Sequence, residues 1–223
     1  MNMQFKNENI CAIIPVRAGS KRVVNKNIRS FAGSNLLQRK INQLKAVSKI
    51  EAIYVSSDSP EMLEIAETSG CVAIERPAEF ALDLVPMSEV YKHLGELVKE
   101  PIVLFTHVTT PLCGEASYRA AISQFLNLKD EYDSLTTVTN VKDFLYWDGE
   151  AVNFDPKSKP RSQDLPNIVK LNHAISIAPR ELMIQEKNIF GHCPFLMPLT
   201  DFEAFDIDTE LDFEIAEYLA TRL

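Results

Sequence analysis

Apolar runs alternate with amphipathic segments along the first 141 residues, which is the pattern of a parallel β-sheet with crossover helices. The apolar runs predict strands at residues 11–16, 52–58, 71–75, 101–108 and 134–141. Helical spacing predicts helices near 35–47 and within 59–70, 87–100 and 115–128; Ser59 is the expected N-cap of the second. We therefore expect an α/β fold with a mostly parallel sheet and flanking helices.

The pattern changes between residues 142 and 170. Asp148 and Gly149 separate two aromatic, β-prone runs, which predicts a hairpin, and Pro, Ser and Lys cluster after it. The sheet pattern returns at 173–179, and a closing helix is expected after Thr209, with Asp212 at the capping-box position. We predict one domain over 1–223, from which the segment 142–170 protrudes.

The overall charge and the cysteines exclude several classes of protein. The net charge of −8 argues against nonspecific nucleic-acid binding. No run approaches the ~18 apolar residues of a membrane span, and the first residues lack the apolar core of a secretory signal, so a cytoplasmic protein without membrane contact is expected. The four cysteines are 60, 42 and 80 residues apart, which fits reduced thiols better than a zinc or redox motif.

Charge is divided between the two ends of the chain. Residues 9–50 contain nine Lys and Arg and no acid, whereas residues 200–223 contain eight acids and one base, Arg222. Two regions of opposite sign suit a phosphorylated ligand that arrives with a divalent cation. The alternative is that both are solvated faces.

The basic loop after the first strand is the main candidate for a binding site. The seven glycines form no dinucleotide, P-loop or hydrolase motif. The sequence RAGSKRVVNKN, residues 17–27, leaves the carboxyl end of the first strand, where open parallel sheets bind their ligands. Arg17, Ser20, Lys21 and Lys26 offer donors and cations to phosphate oxygens, whereas Arg22 and Arg29 are compatible with solvent-facing positions.

Asp206 and Asp208 are two residues apart in an extended stretch before the last helix, so both carboxylates project to one side. Such a pair suits Mg²⁺, which proteins hold with one or two carboxylates together with substrate phosphates. The pair is equally compatible with two loop acids beside a capped helix.

Six blocks carry a resemblance to a known family: IIPVRAGSKRVVNKNI, VSSDSPEM, ERPAEFALD, THVTTPLC, LNHAISI and DIDTELDFEIAE. Their order and spacing resemble those of the acylneuraminate (nonulosonate) cytidylyltransferases, which activate sialic acid and related sugars as CMP-sugars. The resemblance covers about residues 10 to 217. It implies a nucleotide-diphospho-sugar transferase fold, which is Rossmann-like, with CTP as co-substrate, Mg²⁺ as cofactor and pyrophosphate as product. It also implies a homodimer in which the protruding segment closes the partner's sugar site.

The resemblance also implies roles for particular residues. Matched motif by motif, they are the triphosphate loop Arg17, Ser20, Lys21, Lys26 and Asn27; the nucleotide contact Arg76; the sugar contacts Arg161 and Asn172; and the metal pair Asp206 and Asp208. Arg17 and Asp208 are the expected catalytic residues, with Asp208 taking the proton of the acceptor hydroxyl directly or through a metal-bound water.

The departures from the family pattern lie mainly on the acceptor side. His107 and Cys113 stand at the ends of HVTTPLC, where the family usually reads QPTSPLR. His173 and Ser176 replace the usual Gly and Tyr of NGAxY, and Val24 replaces a proline in the loop. His107 is either a sugar ligand or a filler on a buried strand, and His173 favours a packing or hydrogen-bonding role.

The acceptor therefore stays open among sialic, legionaminic and pseudaminic acids and an eight-carbon ulosonate such as KDO. A regulator that binds nucleotide-sugars without turnover is the alternative from another class. The retained Arg17, Asp206 and Asp208 count against it.

Overall fold

A computed structural model describes residue 5 and residues 8–20, 22–81 and 85–222. The elements in chain order are β1 (Ile10–Pro15), β2 (Ser30–Phe31), β3 (Ser34–Asn35), α1 (Leu36–Lys45), β4 (Ile50–Ser57), α2 (Pro60–Thr68), β5 (Val72–Glu75), α3 (Met87–Leu97), β6 (Ile102–Phe105), α4 (Glu115–Leu126), β7 (Ser134–Val141), β8 (Tyr146–Trp147), β9 (Glu150–Ala151), β10 (Ile168–Pro179), α5 (Arg180–Gln185), β11 (Pro194–Pro198) and α6 (Glu210–Ala220).

Seven strands form the main sheet in the order β11-β7-β10-β6-β1-β4-β5. All neighbouring pairs are parallel except those of β10, which runs antiparallel to both β6 and β7. The predicted α/β class with a mostly parallel sheet is confirmed. The carboxyl ends of β1, β4, β5 and β6 consequently meet at one edge.

Successive residues of β1 point to opposite faces of the sheet, and both faces are covered by helices. Ile10, Ala12 and Ile14 pack in one core with buried residues of α1, α2, α4 and α6. Cys11 and Ile13 pack in a second core with buried residues of α3 and α5. An uninterrupted apolar run is the sequence signal of such a doubly covered strand.

Two helices begin where side-chain caps predict. Ser59 accepts a hydrogen bond from the Met62 amide, and Pro60 opens α2. Thr209 and Asp212 form a reciprocal capping box that starts α6. The cap matters for the site because it fixes the direction in which the chain leaves Asp206 and Asp208.

The predicted hairpin at Asp148 and Gly149 is present as β8 and β9. Both turn residues have positive φ, 48° and 86°, as a two-residue hairpin turn requires. Residues 168–170 of the expected protruding segment already pair with β7, so the part outside the main sheet ends at 167. The short elements α5 and β11 were not predicted.

Within the described residues, no helix is long and apolar enough to cross a membrane.

Candidate active site

A cavity of about 380 Å³ opens at the carboxyl ends of β1, β5 and β6. Its lining includes six residues that the sequence singled out: Arg17, Ser20, Lys26, Asn27, Arg76 and His107. They come from three separate strand ends, which the parallel sheet brings to one place. Lys21 lies outside the described residues.

The basic loop is fixed by buried contacts at its base. Val23 is buried in the core below the loop, and buried Asn27 donates from its side-chain amide to the Arg17 carbonyl at 3.0 Å. The Ala18 amide donates to Asp58 Oδ1 at 2.8 Å, which ties the loop to the end of β4. These contacts anchor the loop beside the cavity.

Arg76 lies at the floor of the cavity, where it is only 7% exposed. Its guanidinium donates to the Ser56 hydroxyl at 3.2 Å and to the Ser56 carbonyl at 2.9 Å. Burial lowers the pKa of Arg76, and the charge of Asp58 partly offsets this. A buried guanidinium with these fixed partners is well placed to favour an anion in the cavity.

Asp206 and Asp208 do not line this cavity but lie beside it, because the lining residues Lys26 and Arg22 contact their segment. The Lys26 ammonium donates to the Ile207 carbonyl at 2.7 Å. The Ile207 amide donates to the carbonyl of the cavity residue Thr109 at 2.9 Å, and the Ile207 side chain is fully buried. Asp206 and Asp208 flank Ile207, so in the extended chain their side chains both point away from the core.

The two carboxylates differ in their surroundings. Partial burial raises the pKa of Asp206; a hydrogen bond with Thr109 and the charge of Lys26 oppose the rise, and the charge of Asp208 adds to it. Asp208 forms an ion pair with Arg22 at 2.8 Å. A site that raises a carboxyl pKa favours the neutral form, and a bound cation would reverse that preference.

These residues fit Mg²⁺ as a partial ligand set. The described residues contain no group of three or more His, Cys, Asp or Glu side chains able to hold a metal. Two carboxylates supply part of an octahedral shell, and Mg²⁺ typically completes it with substrate phosphates and water. The donor set is therefore compatible with a cation that arrives with a phosphorylated substrate.

The two oppositely charged regions of the sequence meet at this site. Arg22 pairs with Asp208, and Arg29 pairs with Glu210 while its guanidinium stacks over Phe213 at 4.4 Å. Arg22 and Arg29 thus face solvent and also pair with the acidic segment. Exposed ion pairs of this kind contribute little to stability, so they are compatible with both interpretations of the charged regions.

His107 follows β6 and lies beside His173, with 6.1 Å between the ring centroids. Burial lowers the pKa of His107 to about 4, and the charges of His173 and Lys40 add to the effect. His107 is therefore neutral at physiological pH and offers one donor and one acceptor. His173 is exposed and has a positive φ of 55°, within the irregular stretch where the register of β10 on β7 shifts.

Asn172 is buried in that same irregular stretch. Its Oδ1 accepts from the Thr137 hydroxyl at 2.6 Å and from the Ala174 amide at 3.2 Å, whereas its Nδ2 has no hydrogen-bond partner. Unpartnered buried donors are rare in native proteins, and a ligand is one explanation for such a group. Ser176, by contrast, is buried and bonds Thr136 at 3.0 Å, which is a packing role.

Arg161 lies in the protruding segment, not in the cavity lining. It is exposed and forms a two-pronged pair with Asp164, with nitrogen to oxygen distances of 2.7 and 3.2 Å. The structure of a single chain therefore does not bring Arg161 to the cavity.

Sequence reasoning missed Asp58 and Thr109, which bond residues of the site, and Lys40, whose charge contributes to the lowered pKa of His107. Asp58 and Thr109 act through bonds to the backbone and to Asp206, which leave no signature in a sequence. Lys40 did leave a signal, because it stands at helical spacing between the apolar Leu36 and Leu44.

Comparison with known proteins gives consistent results. A model of the cytidylyltransferase family matches residues 11–220. The chain is 27% identical to a pseudaminic acid cytidylyltransferase of Campylobacter jejuni, covering 95% of this chain and 96% of the relative. It is 29% identical to a CMP-N,N'-diacetyllegionaminic acid synthase of the same species, covering 95% and 94%. The fold resembles CMP:2-keto-3-deoxy-manno-octonic acid synthetase complexed with CTP, with a TM-score of 0.71 at 14% identity over 96% of this chain and 98% of that one.

Proposed function

Because the chain belongs to the cytidylyltransferase family, we propose that it transfers the cytidylyl group of CTP to a nonulosonic acid and releases pyrophosphate. The observation that carries this proposal is the contact between the basic loop, which lines the cavity, and the acidic pair beside it. The relatives that act on pseudaminic and legionaminic acids support the acceptor class.

The cationic side of the cavity is assigned to the triphosphate. Arg17, Lys26 and Arg76 approach the cavity from the loop and from β5, and Ser20 and Asn27 line it between them. A cation about 4 Å from a phosphate charge contributes up to about 4 kcal/mol near a protein surface, so this set outweighs the net negative charge of the chain. In this assignment Arg17 stabilises the departing pyrophosphate.

The reaction joins two substrates by one substitution at phosphorus. The anomeric hydroxyl oxygen forms a bond to the α-phosphorus of CTP, the bond from that phosphorus to the bridging oxygen breaks, and pyrophosphate leaves with the electron pair. Asp208 is the proposed acceptor of the hydroxyl proton. Asp206 and Asp208 would hold Mg²⁺, which when bound neutralises phosphate charge and aligns the oxygens.

The acceptor is assigned to the wall formed by His107 and by the irregular stretch of β10. The unpartnered Nδ2 of Asn172 and the neutral imidazole of His107 provide hydrogen bonds of the kind that a polyhydroxylated acid needs. Which nonulosonic acid is used depends on this wall. An eight-carbon ulosonate stays a candidate, and a cytoplasmic location stays a prediction.

We further propose a homodimer formed through the protruding segment. Tyr146 and Trp147 are 61% and 74% exposed on the hairpin, and Val152, Val169 and Leu171 are exposed near it. Exposed aromatic groups of this size mark association surfaces. A partner bound at this surface would bring its Arg161 towards the acceptor wall. Arg161 of the same chain does not line the cavity.

The decisive experiment is pyrophosphate release from CTP with a panel of free sugars: N-acetylneuraminic, legionaminic and pseudaminic acids and KDO. We expect release only when CTP, Mg²⁺ and one of these acids are present together, and Asp206→Asn serves as the inactive control. Preference for ATP or GTP over CTP would refute the assignment. If no pyrophosphate is released, calorimetry with CTP tests the alternative of a nucleotide-binding regulator. Such a regulator would still bind CTP.

A further inference from the structure

Lys40 is a buried cation that the proposed reaction does not use. It lies on α1, its side chain is fully buried, and it occupies a position in the apolar stripe of that helix. Among the described residues no carboxylate pairs with it; it donates to the Thr110 carbonyl and the Tyr118 hydroxyl, and the buried Cys113 thiol is close enough to act on its charge. A buried ammonium without a counter-ion is costly to the fold, so packing alone does not account for it.

The ammonium begins a one-way series of hydrogen bonds. It donates to Thr110 O at 2.9 Å and to Tyr118 Oη at 2.6 Å. Tyr118 Oη lies 2.9 Å from Thr106 Oγ1, and Thr106 Oγ1 donates to the Ala174 carbonyl at 2.7 Å. Tyr118 accepts from Lys40, because an ammonium has no acceptor. Thr106 gives its one hydroxyl proton to the Ala174 carbonyl, so it must accept from Tyr118.

This series joins the two segments that carry the acceptor wall. Thr106 directly precedes His107, and Thr110 closes the same loop with a bond from its hydroxyl to the His107 carbonyl at 3.2 Å. Ala174 directly follows Asn172 and His173 in the irregular part of β10. Every group in the series is fully buried, so water does not compete for its bonds.

We propose that Lys40 is a positioning residue for acceptor binding: through Tyr118 and Thr106 it sets the distance between His107 and the Asn172–Ala174 stretch. The basic loop and Arg76 have their own anchors in Asn27, Asp58 and Ser56. Thr109 of the 106–110 segment lines the same cavity, so loss of the ammonium should weaken acceptor binding much more than CTP binding. This inference rests on the proposed function only for the identity of the acceptor.

The kinetic test uses Lys40→Met, which keeps the length and apolar stem of the side chain and removes its donors. Tyr118→Phe breaks the series at the next link. Lys45→Met is the matched control, because Lys45 is an exposed lysine of the same helix that bonds the Ser69 carbonyl. We expect KM for the acceptor to rise about 10-fold in the first two variants, with KM for CTP within about twofold of wild type.

The double variant separates a connected series from two independent defects. If Lys40 acts through Tyr118, Lys40→Met combined with Tyr118→Phe should raise the acceptor KM little more than either change alone. A rise in KM for CTP equal to that for the acceptor would overturn the proposal, as would acceptor kinetics equal to those of Lys45→Met.

A second measurement keeps the inference testable if no nonulosonic acid is a substrate. Hydrogen exchange followed by mass spectrometry reports the protection of residues 106–110 and 172–175 without any ligand. We expect Lys40→Met and Tyr118→Phe to lose protection in both segments together and Lys45→Met to lose it in neither. Unchanged exchange in these segments would overturn the positioning role, whereas a wild type inactive on every acid would refute only the proposed function.

Discussion

Replacing Lys40 by Met should change how stability depends on pH. Burial lowers the pKa of Lys40 from 10.5 to about 8. A lysine with a lowered pKa binds its proton more weakly in the folded state than in the unfolded state. Between about pH 8 and 10.5 the unfolded state therefore holds more protons, and the free energy of unfolding rises with pH across that window.

The magnitude follows from the two pKa values. The gap between 10.5 and about 8 corresponds to about 3 kcal/mol once Lys40 is neutral in both states. Between about pH 6.5 and about pH 9.5 the linkage relation gives a gain of about 2 kcal/mol. Lys40→Met lacks this gain. At neutral pH the substitution removes the cost of the buried charge, but it also leaves two buried acceptors without the Lys40 donor. Each lost hydrogen bond costs about 1 to 3 kcal/mol, so wild type and Lys40→Met should have similar stability at neutral pH.

The measurement is urea unfolding of wild type and Lys40→Met at several pH values in this range. The difference between the two proteins is the relevant quantity, because groups common to both largely cancel. Cys11 and Tyr54, whose pKa values burial raises, destabilise both proteins at high pH. Cys113, Arg39 and His107 interact with the Lys40 charge and Tyr118 accepts a hydrogen bond from it, so their titration contributes to the difference to a smaller extent.

We expect wild type to gain about 2 kcal/mol relative to Lys40→Met as pH rises from about 6.5 to about 9.5. A difference that does not change with pH would mean that the Lys40 pKa is not lowered. A loss by wild type relative to the variant would mean that Lys40 has an anionic partner, for which the Cys113 thiolate is the available group.

Three further outcomes test the site and the assembly. Asp206→Asn should lower kcat about 100-fold or more if Asp206 holds the metal. The Tm without ligand should stay the same or rise, because a raised carboxyl pKa means that the ionised group destabilises the fold at neutral pH. Retained activity with a large fall in Tm would contradict the metal role. His107→Gln exchanges one neutral group for another. It should change kcat/KM for different ulosonic acids by different factors, of about 5- to 150-fold, and leave KM for CTP unchanged. One common factor for all acids would make His107 a packing residue. Replacing Tyr146 and Trp147 together by Ser should convert the dimer to a monomer, as measured by sedimentation at micromolar concentration. Leu97→Ser is the control, because Leu97 is an exposed apolar residue outside the hairpin. A wild type that already sediments as a monomer would refute the dimer.

The part of the fold that the sequence predicts is the part governed by local patterns. Continuous apolar runs identified the parallel strands because both faces of those strands are covered. Ser59 and Thr209 marked the starts of α2 and α6 because a cap satisfies amides within its own turn. The short α5 and β11 lack such signals: β11 has two prolines and pairs only with β7, so its strand form depends on a partner 60 residues earlier in the chain.

The same distinction explains why the proposed phosphate side of the site can be predicted from the sequence and the proposed acceptor side cannot. Arg17, Ser20, Lys26 and Asn27 lie within eleven consecutive residues, so charge and strand position suffice to find them. The acceptor wall instead joins the end of β6 to an irregular stretch of β10, more than sixty residues away, and the contact between them runs through buried hydroxyls. A one-residue shift in register reverses the direction of every side chain in a strand, and no local pattern specifies where β10 departs from β7. If Lys40 positions the proposed acceptor wall, acceptor choice in this chain depends on a buried residue outside the cavity lining, and comparing only the lining residues would miss it.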